Sequence, residues 1–272
     1  VERKIVKDLL KMLVFIDTNI FLDLYRLGSG QGALRQLGLL NQVKEKIITT
    51  YQVEMEYKKH RQEMIVDTHN QLRGVSSDHK NFSPLLLDSQ PVAVIKKDIA
   101  SIEKQQKIIK ARMDKILLNP TRNDPIYKHL QRLFKSKSDL NLNRDKDIRY
   151  TIRRRAQKRF FLGYPPRKNS DNSIGDAVNW EWIIECAIQQ KSDVTIVSRD
   201  NDFGISHNKK RYINDWLKQE FKERVGRKDI VLTNSLMSAL GQLKVKVSAQ
   251  DKKEENALIE LEELEGGFGK GL

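Results

Sequence analysis

Acidic side chains stand at four places where an apolar, strand-like run meets a helix. Asp17 closes "VFID". Glu54 and Glu56 follow "KIITTY". Asp176 opens "GDAVNWEW", and Asp200 and Asp202 follow "TIVS". Each has an ordinary structural reading: Asp17 as a helix N-cap, Asp176 in a capping box with Ser173, Asp200 and Asp202 as turn residues, Glu54 and Glu56 as a solvated helix face. Capping alone does not call for acids at every junction around one sheet edge. In an open parallel sheet, ligand sites form beyond the carboxyl ends of the strands. Carboxylates gathered there repel one another, and a hard divalent cation removes that cost. Mg²⁺ and Mn²⁺ accept carboxylate oxygens and retain waters. One or two such ions suit phosphodiester hydrolysis, because they acidify water and neutralise charge on phosphoryl oxygens. Neither the five histidines nor the single Cys186 is spaced for that work.

The elements that must position these acids follow from apolar patterning. "MLVFID" (12–17), "KIITTY", "DVTIVS" (193–198) and "DIVLT" (229–233) read as buried strands. Helical spacings follow: Ile20, Phe21, Leu24 and Leu27 after the first strand, "ALRQLGLLNQV" after the break at "GSGQG", a long helix from Gln52, "NSIGDAVNWEWIIECAIQQ", and "KRYINDWLKQEFKER". Strands alternating with helices predict βαβ units and a parallel sheet. Thr18 or Asn19 is expected to start the first helix and leave the Asp17 carboxylate facing a cation. Between about residues 58 and 165 strand signals thin out. "PVAVIKKDIASIEKQQKIIKARMDKIL" (91–117) carries isoleucines at helical spacing, and shorter helices follow. Cys186 sits on a helix and reads as a packed core thiol.

"FIDTNIFLDLYR", "TTYQVEMEYKKHR", "NSIGDAVNWEWII" and "TIVSRDNDFG" resemble, in order, the four acidic motifs of PIN-domain nucleases. "FFLGYPPRKNSDNSIGD" is similar to the approach to the third acid in a bacterial PIN-like subgroup with a long helical insertion. The resemblance implies an α/β fold, a PIN-like α/β/α sandwich with a central parallel sheet and a large α-helical insertion. It implies a discontinuous nuclease core over 1–62 and 160–247, while composition alone marks a helical insertion over 63–159 and a charged flexible tail over 248–272. It also implies that Asp17, Glu56, Asp176 and Asp200 are the catalytic and metal-holding acids. Asn19 and Ser198 support them, Glu54 is the alternate second acid, and Asp202 is an outer ligand. "RDNDFG" contains the Asp-Phe-Gly tripeptide of protein kinases. No Gly-rich phosphate loop or His-Arg-Asp loop accompanies it, so the match is chance.

The charge balance points to the substrate. Lys and Arg total 50 against 36 Asp and Glu, a formal charge of +14. Such a surplus favours a polyanion. Arg153, Arg154, Arg155, Lys158 and Arg159 crowd one helix, with Tyr150, Phe160, Phe161 and Tyr164 interleaved and Arg167 and Lys168 just beyond. Cations neutralise phosphates and aromatics stack unpaired bases, although Phe160 and Phe161 read more simply as core residues. Arg26, Lys58 and Arg61 follow the first two acidic motifs and line the same expected entrance. No apolar run approaches the ~20 residues of a membrane span. Val1-Glu2-Arg3-Lys4 shows no signal segment, and one cysteine allows no intrachain disulfide, so a cytoplasmic, reducing compartment is expected.

The expected activity is a metal-dependent endoribonuclease, a toxin or phage-defence effector by analogy with bacterial relatives. RNA is preferred over DNA by family habit alone. A non-catalytic nucleic-acid-binding module and a protein adaptor on the same scaffold are the alternatives. A homodimer and a protein inhibitor are left open.

Overall fold

The computed structural model describes residues 12–27, 29–71, 82–166 and 173–268. The chain divides into two compact units, 1–57 with 129–272, and 58–128.

The larger unit opens with β1 (Met12–Ile16) and a short helix α1 (Thr18–Asp23), followed by α2 (Gly30–Gln42). Ser29 accepts the Gly32 N–H at 3.0 Å and caps α2. Strand β2 (Ile47–Thr50) runs into α3 (Tyr51–Gln71), which crosses the boundary between the two units. The smaller unit contains the rest of α3, the 29-residue helix α4 (Gln90–Leu118) and α5 (Pro120–Asn123). Helix α6 (Pro125–Phe134) leads back into the larger unit, which continues with β3 (Asn141–Leu142), α7 (Ile148–Phe161), α8 (Gly175–Gln190) and β4 (Asp193–Val197). A hairpin of β5 (Gly204–His207) and β6 (Lys210–Ile213) precedes α9 (Asp215–Val225), β7 (Ile230–Thr233), α10 (Leu236–Gln242) and α11 (Ala249–Phe268).

Five strands form one sheet in the order β3-β2-β1-β4-β7, and every pairing within it is parallel. The chain builds outward from β1 through β2 and β3, then returns to the other side of β1 for β4 and β7. The order therefore reverses between β1 and β4, the switch point beyond whose carboxyl ends ligand sites form in open parallel sheets. Parallel strands covered by helices bury both faces, which is why β1 ("MLVFI") and β4 ("DVTIV") are nearly continuous apolar runs. Leu13 to Ile16, Ile48, Trp180, Ile183, Ile184, Ile196 and Val197 form the centre of the core. Cys186 is buried there, and burial pushes its thiol well above the ordinary range, leaving an inert packing residue.

Several local expectations change. "KRYINDWLKQEFKER" is not one helix: Lys210–Ile213 pair with Gly204–His207, and α9 begins only after Asn214. Asn214 caps it, accepting from Trp216 N–H at 2.9 Å. A Cβ at Gly204 would lie 2.0 Å from the Tyr212 carbonyl, so the hairpin requires glycine there. Phe203 is buried edge-on against Phe15 at 6.0 Å, which gives Asp202-Phe203-Gly204 a packing role. Within the expected flexible tail, Ala249–Phe268 form helix α11, whose first half is docked. Glu255 is buried and accepts from Leu236 N–H at 2.5 Å and Ser235 hydroxyl at 2.6 Å, at the start of α10. Arg35 holds Asp251 and Glu254 of the same helix.

In the smaller unit, Arg61 is only 2% exposed and pairs with Asp124 at 2.7 Å. Its guanidinium also lies 5.1 Å from the Tyr127 ring centre. A buried pair of this kind satisfies both charges, and removing one partner leaves the other stranded. Along α4, Val94, Ile95, Ile102, Ile108 and Ile109 are exposed.

Candidate active site

Asp17 follows the last residue of β1 at the switch point. Its backbone N–H donates to the Val197 carbonyl on β4 at 3.0 Å, which ties the carboxyl ends of the two strands together. The carboxylate is itself the cap of α1, because Oδ1 accepts the Thr18 N–H at 2.7 Å. This corrects the expectation that Thr18 or Asn19 would take over capping. Oδ2 accepts the Ser198 hydroxyl at 2.6 Å and the Asn19 amide at 3.3 Å. Asn19 in turn reaches the Ser198 hydroxyl at 3.5 Å, and the Asp200 N–H donates to that hydroxyl at 3.2 Å. Asn19 and Ser198 thus fix the first acidic junction to the fourth.

The second junction joins through Thr18, whose hydroxyl donates to Glu56 Oε2 at 3.0 Å. Gln52 donates to Glu56 Oε1 at 2.7 Å. Glu54, on the same helix turn, shares neither bond, so the geometry favours Glu56 as the acid that faces Asp17. The third junction lies against the second: a Cβ on Gly175 would sit 2.7 Å from Glu56 Oε1 and 2.5 Å from Gln52 Nε2. Any larger residue at Gly175 would displace the ends of Gln52 and Glu56. Ser173 accepts the Gly175 N–H at 3.1 Å. Asp176 follows in the first turn of α8 and is half-buried. Beneath this corner, Thr50 donates to Asn179 at 2.6 Å and holds the end of β2 to α8.

Electrostatics single out Asp17. Its pKa rises from 3.8 to about 7, chiefly through burial, then through the charge of Asp200, with a smaller push from Glu56. The hydrogen bonds from Ser198 and Thr18 oppose the rise but do not cancel it. Arg211 on β6 donates to the Asp200 carbonyl and to Asn201, and the charges of Asp200 and Asp202 act on it. Arg199 pairs with buried Asp23 at 2.5 Å, which locks the β4 loop onto α1. Sequence patterning gave no signal for Arg199, Asp23, Gln52 or Gly175. Among the described residues, no three carboxylate, imidazole or thiol groups lie close enough together to enclose a metal ion.

The basic helix divides. Arg153, Arg154, Arg155 and Lys158 are exposed, with Arg155 paired to Glu185 at 2.8 Å. Arg159 is not a surface cation. It is 4% exposed and holds Glu181 at 3.1 Å, together with Glu220 and the Pro165 carbonyl. Arg224 joins the cluster, bonding Glu181 at 2.8 Å. Burial works to raise the Glu181 pKa, but Arg224 and Arg159 outweigh it and hold the carboxyl below its ordinary value. Arg61 is likewise withdrawn from the surface by Asp124. Arg26 is half-exposed beside Asp23 at 3.6 Å. Lys58 is half-buried. Arg167 and Lys168 lie outside the described residues.

The α/β architecture agrees with a comparison against protein families, in which residues 14–203 match the PIN domain. This chain belongs to the PIN-domain family. The match runs from β1 to Phe203, past Asp17, Glu56, Asp176 and Asp200. The PIN domain is a nuclease-type fold. No curated protein and no solved structure matches the chain. No helix among the described residues is long and apolar enough to cross a membrane.

Proposed function

We propose that this PIN domain is a metal-dependent endoribonuclease whose centre is the β1–β4 crevice. The observation that carries the reading is the buried Asp17 carboxylate, pushed up to about 7 by burial, Asp200 and Glu56. No lysine or arginine pairs with it among the described residues. A carboxylate left so short of positive charge fits a site meant to hold a cation. The donor set is all oxygen, which suits Mg²⁺ or Mn²⁺.

Asp17, Glu56, Asp176 and Asp200 are the residues that would hold one or two ions, with Asp202 at the periphery. A bound cation would supply acidified water and neutralise charge on the phosphoryl oxygens. The chain's own residues do the positioning. Ser198 and Asn19 hold one oxygen of Asp17, and Thr18 and Gln52 hold the two oxygens of Glu56. Gly175 lets the first turn of α8, which carries Asp176, pack close to Glu56. The Arg199–Asp23 pair anchors the loop that presents Asp200. Exposed Arg153, Arg154 and Lys158 contact the phosphate backbone, and the helical unit 58–128 helps to recognise substrate. Hydrolysis leaves 5′-phosphate and 3′-hydroxyl ends. RNA as substrate, and a role in growth arrest or phage defence, rest on the family resemblance.

One observation favours a second reading. Among the described residues the acids are not gathered into an enclosing group, as in a nucleic-acid-binding module without catalysis. The two separate by experiment. Purified protein incubated with total RNA and Mn²⁺ cuts it and stops on addition of EDTA if the enzyme reading holds. Binding that survives EDTA with no cleavage under either metal supports the binding module.

A further inference from the structure

Three tryptophans occur in the chain, and two are core residues: Trp180 is 0% and Trp182 is 1% exposed, whereas Trp216 is 49% exposed. Trp216 stands in the first turn of α9 with its ring centre 5.2 Å from that of Tyr164. Tyr164 follows α7 and is itself 39% exposed, and Phe161 at the end of α7 is 85% exposed. Phe161 is therefore not the core residue the sequence suggests. Leaving such rings in water forgoes burial that would stabilise the fold, so they serve something other than the core.

The two rings border a hollow of about 320 Å³, whose other walls are Gln219, Glu220, Glu223 and Arg224. That volume accommodates one planar ring system and is too small for a folded ligand. Its electrostatics exclude a phosphate. Arg224 is already committed to Glu181 and Glu220, and Glu223 accepts from Gln219 at 2.8 Å, so the walls carry no surplus positive charge. A Gln amide and a Glu carboxylate are, however, groups that bond base edges. Cations suited to phosphates lie instead on the exposed faces of the two helices that present the aromatics: Arg153, Arg154 and Lys158 on α7, Lys218 and Lys222 on α9. The hollow is also tied to the acidic crevice. The Arg211 guanidinium bonds the Asp200 carbonyl, and Trp216 follows Arg211 by five residues, so the backbones of Arg211 and Trp216 lie at most about 18 Å apart.

We propose that Tyr164 and Trp216 form a stacking subsite for one unpaired base, placing a single strand across the Asp17–Asp200 crevice. This rests on the nuclease reading for its purpose but not for its test. Base stacking takes RNA and DNA single strands alike and excludes a duplex, whose bases are already stacked.

Because Trp216 is the exposed indole, intrinsic fluorescence reads the site directly. The full chain in EDTA is titrated with a twelve-nucleotide uridine strand, the matching thymidine strand, an abasic strand of equal length and a blunt duplex. Both base-bearing strands quench the emission, while the abasic strand and the duplex do not. Preference between the first two distinguishes RNA from DNA. Trp216→Ala weakens single-strand binding about tenfold by anisotropy with a labelled strand, Trp216→Phe restores most of it, and Tyr164→Leu weakens it independently. Equal quenching by the abasic strand, unchanged affinity in Trp216→Ala, or no binding of any strand overturns the proposal. Base-dependent quenching without cleavage in Mn²⁺ rejects the nuclease reading and leaves the subsite standing. Cleavage without base-dependent quenching does the reverse.

Discussion

Asp17→Asn should make the metal-free protein more stable, by an amount that depends on pH. Burial, Asp200 and Glu56 raise the Asp17 pKa from 3.8 to about 7 in the folded chain. Each pKa unit corresponds to about 1.4 kcal/mol, so ionising this group costs the fold about 4 kcal/mol relative to the unfolded chain. The folded pKa is the higher one. The contribution of Asp17 to stability is therefore full below pH ~3.8, falls as pH rises through the folded value, and is constant above it. Asparagine avoids the ionisation. Its amide oxygen keeps the Thr18 N–H bond, but its amino group faces the Asn19 amide, which now donates to Asp17. That mismatch costs about 1 kcal/mol. Urea unfolding in EDTA from pH 4 to 8 should show the Asp17→Asn protein less stable than wild type by about 1 kcal/mol at the acid end. Above pH 7 it should be more stable by about 3 kcal/mol, equivalent to roughly 6–12 °C in Tm. Mn²⁺ should then stabilise the wild type and not the variant. A stability difference that stays flat with pH would refute the electrostatic reasoning about this crevice.

Other perturbations follow from the same geometry. Gly175→Ala should keep the fold within about 1.5 kcal/mol of wild type, because the new Cβ meets only the ends of Gln52 and Glu56. It displaces Glu56, so the rate of RNA cleavage should fall at least tenfold, read from initial rates at saturating Mn²⁺. Arg61→Ala strands Asp124 in the smaller unit and should cost about 3–5 kcal/mol by urea unfolding. Changing Arg153, Arg154 and Lys158 together to Ala should leave Tm nearly unchanged and flatten the salt dependence of RNA binding by about 2 in log–log slope. Glu255→Ala removes the acceptor for Leu236 and Met237 N–H groups and should lower stability by about 1–2 kcal/mol, measured by thermal unfolding.

What the sequence reveals here depends on whether a residue's partner is near in the chain. β1 and β4 are legible because strands covered on both faces must be apolar throughout. The β5–β6 hairpin is hidden because its residues are mostly exposed, so burial imposes no alternation on them. The acids at four junctions are visible as types and places, yet the bonds that order them are distant: Ser198 lies 181 positions from Asp17, and Thr18 lies 38 from Glu56. Charge misleads for the same reason. Arg61 and Arg159 look like surface cations until Asp124, 63 positions on, and Glu181 and Glu220 close around them. The charge of the last helix suggests disorder, whereas buried Asp251 and Glu255 secure it through Arg35 and the start of α10.

Metal-dependent cleavage through Asp17 is tested most directly with matched wild-type and Asp17→Asn proteins on one labelled single-stranded RNA, with Mn²⁺ and with EDTA. The wild type should cut in Mn²⁺ alone, leaving 5′-phosphate and 3′-hydroxyl ends, and the folded variant should cut at least a hundredfold more slowly. Equal cleavage by the two proteins, or cleavage that persists in EDTA, would contradict a metal site at Asp17.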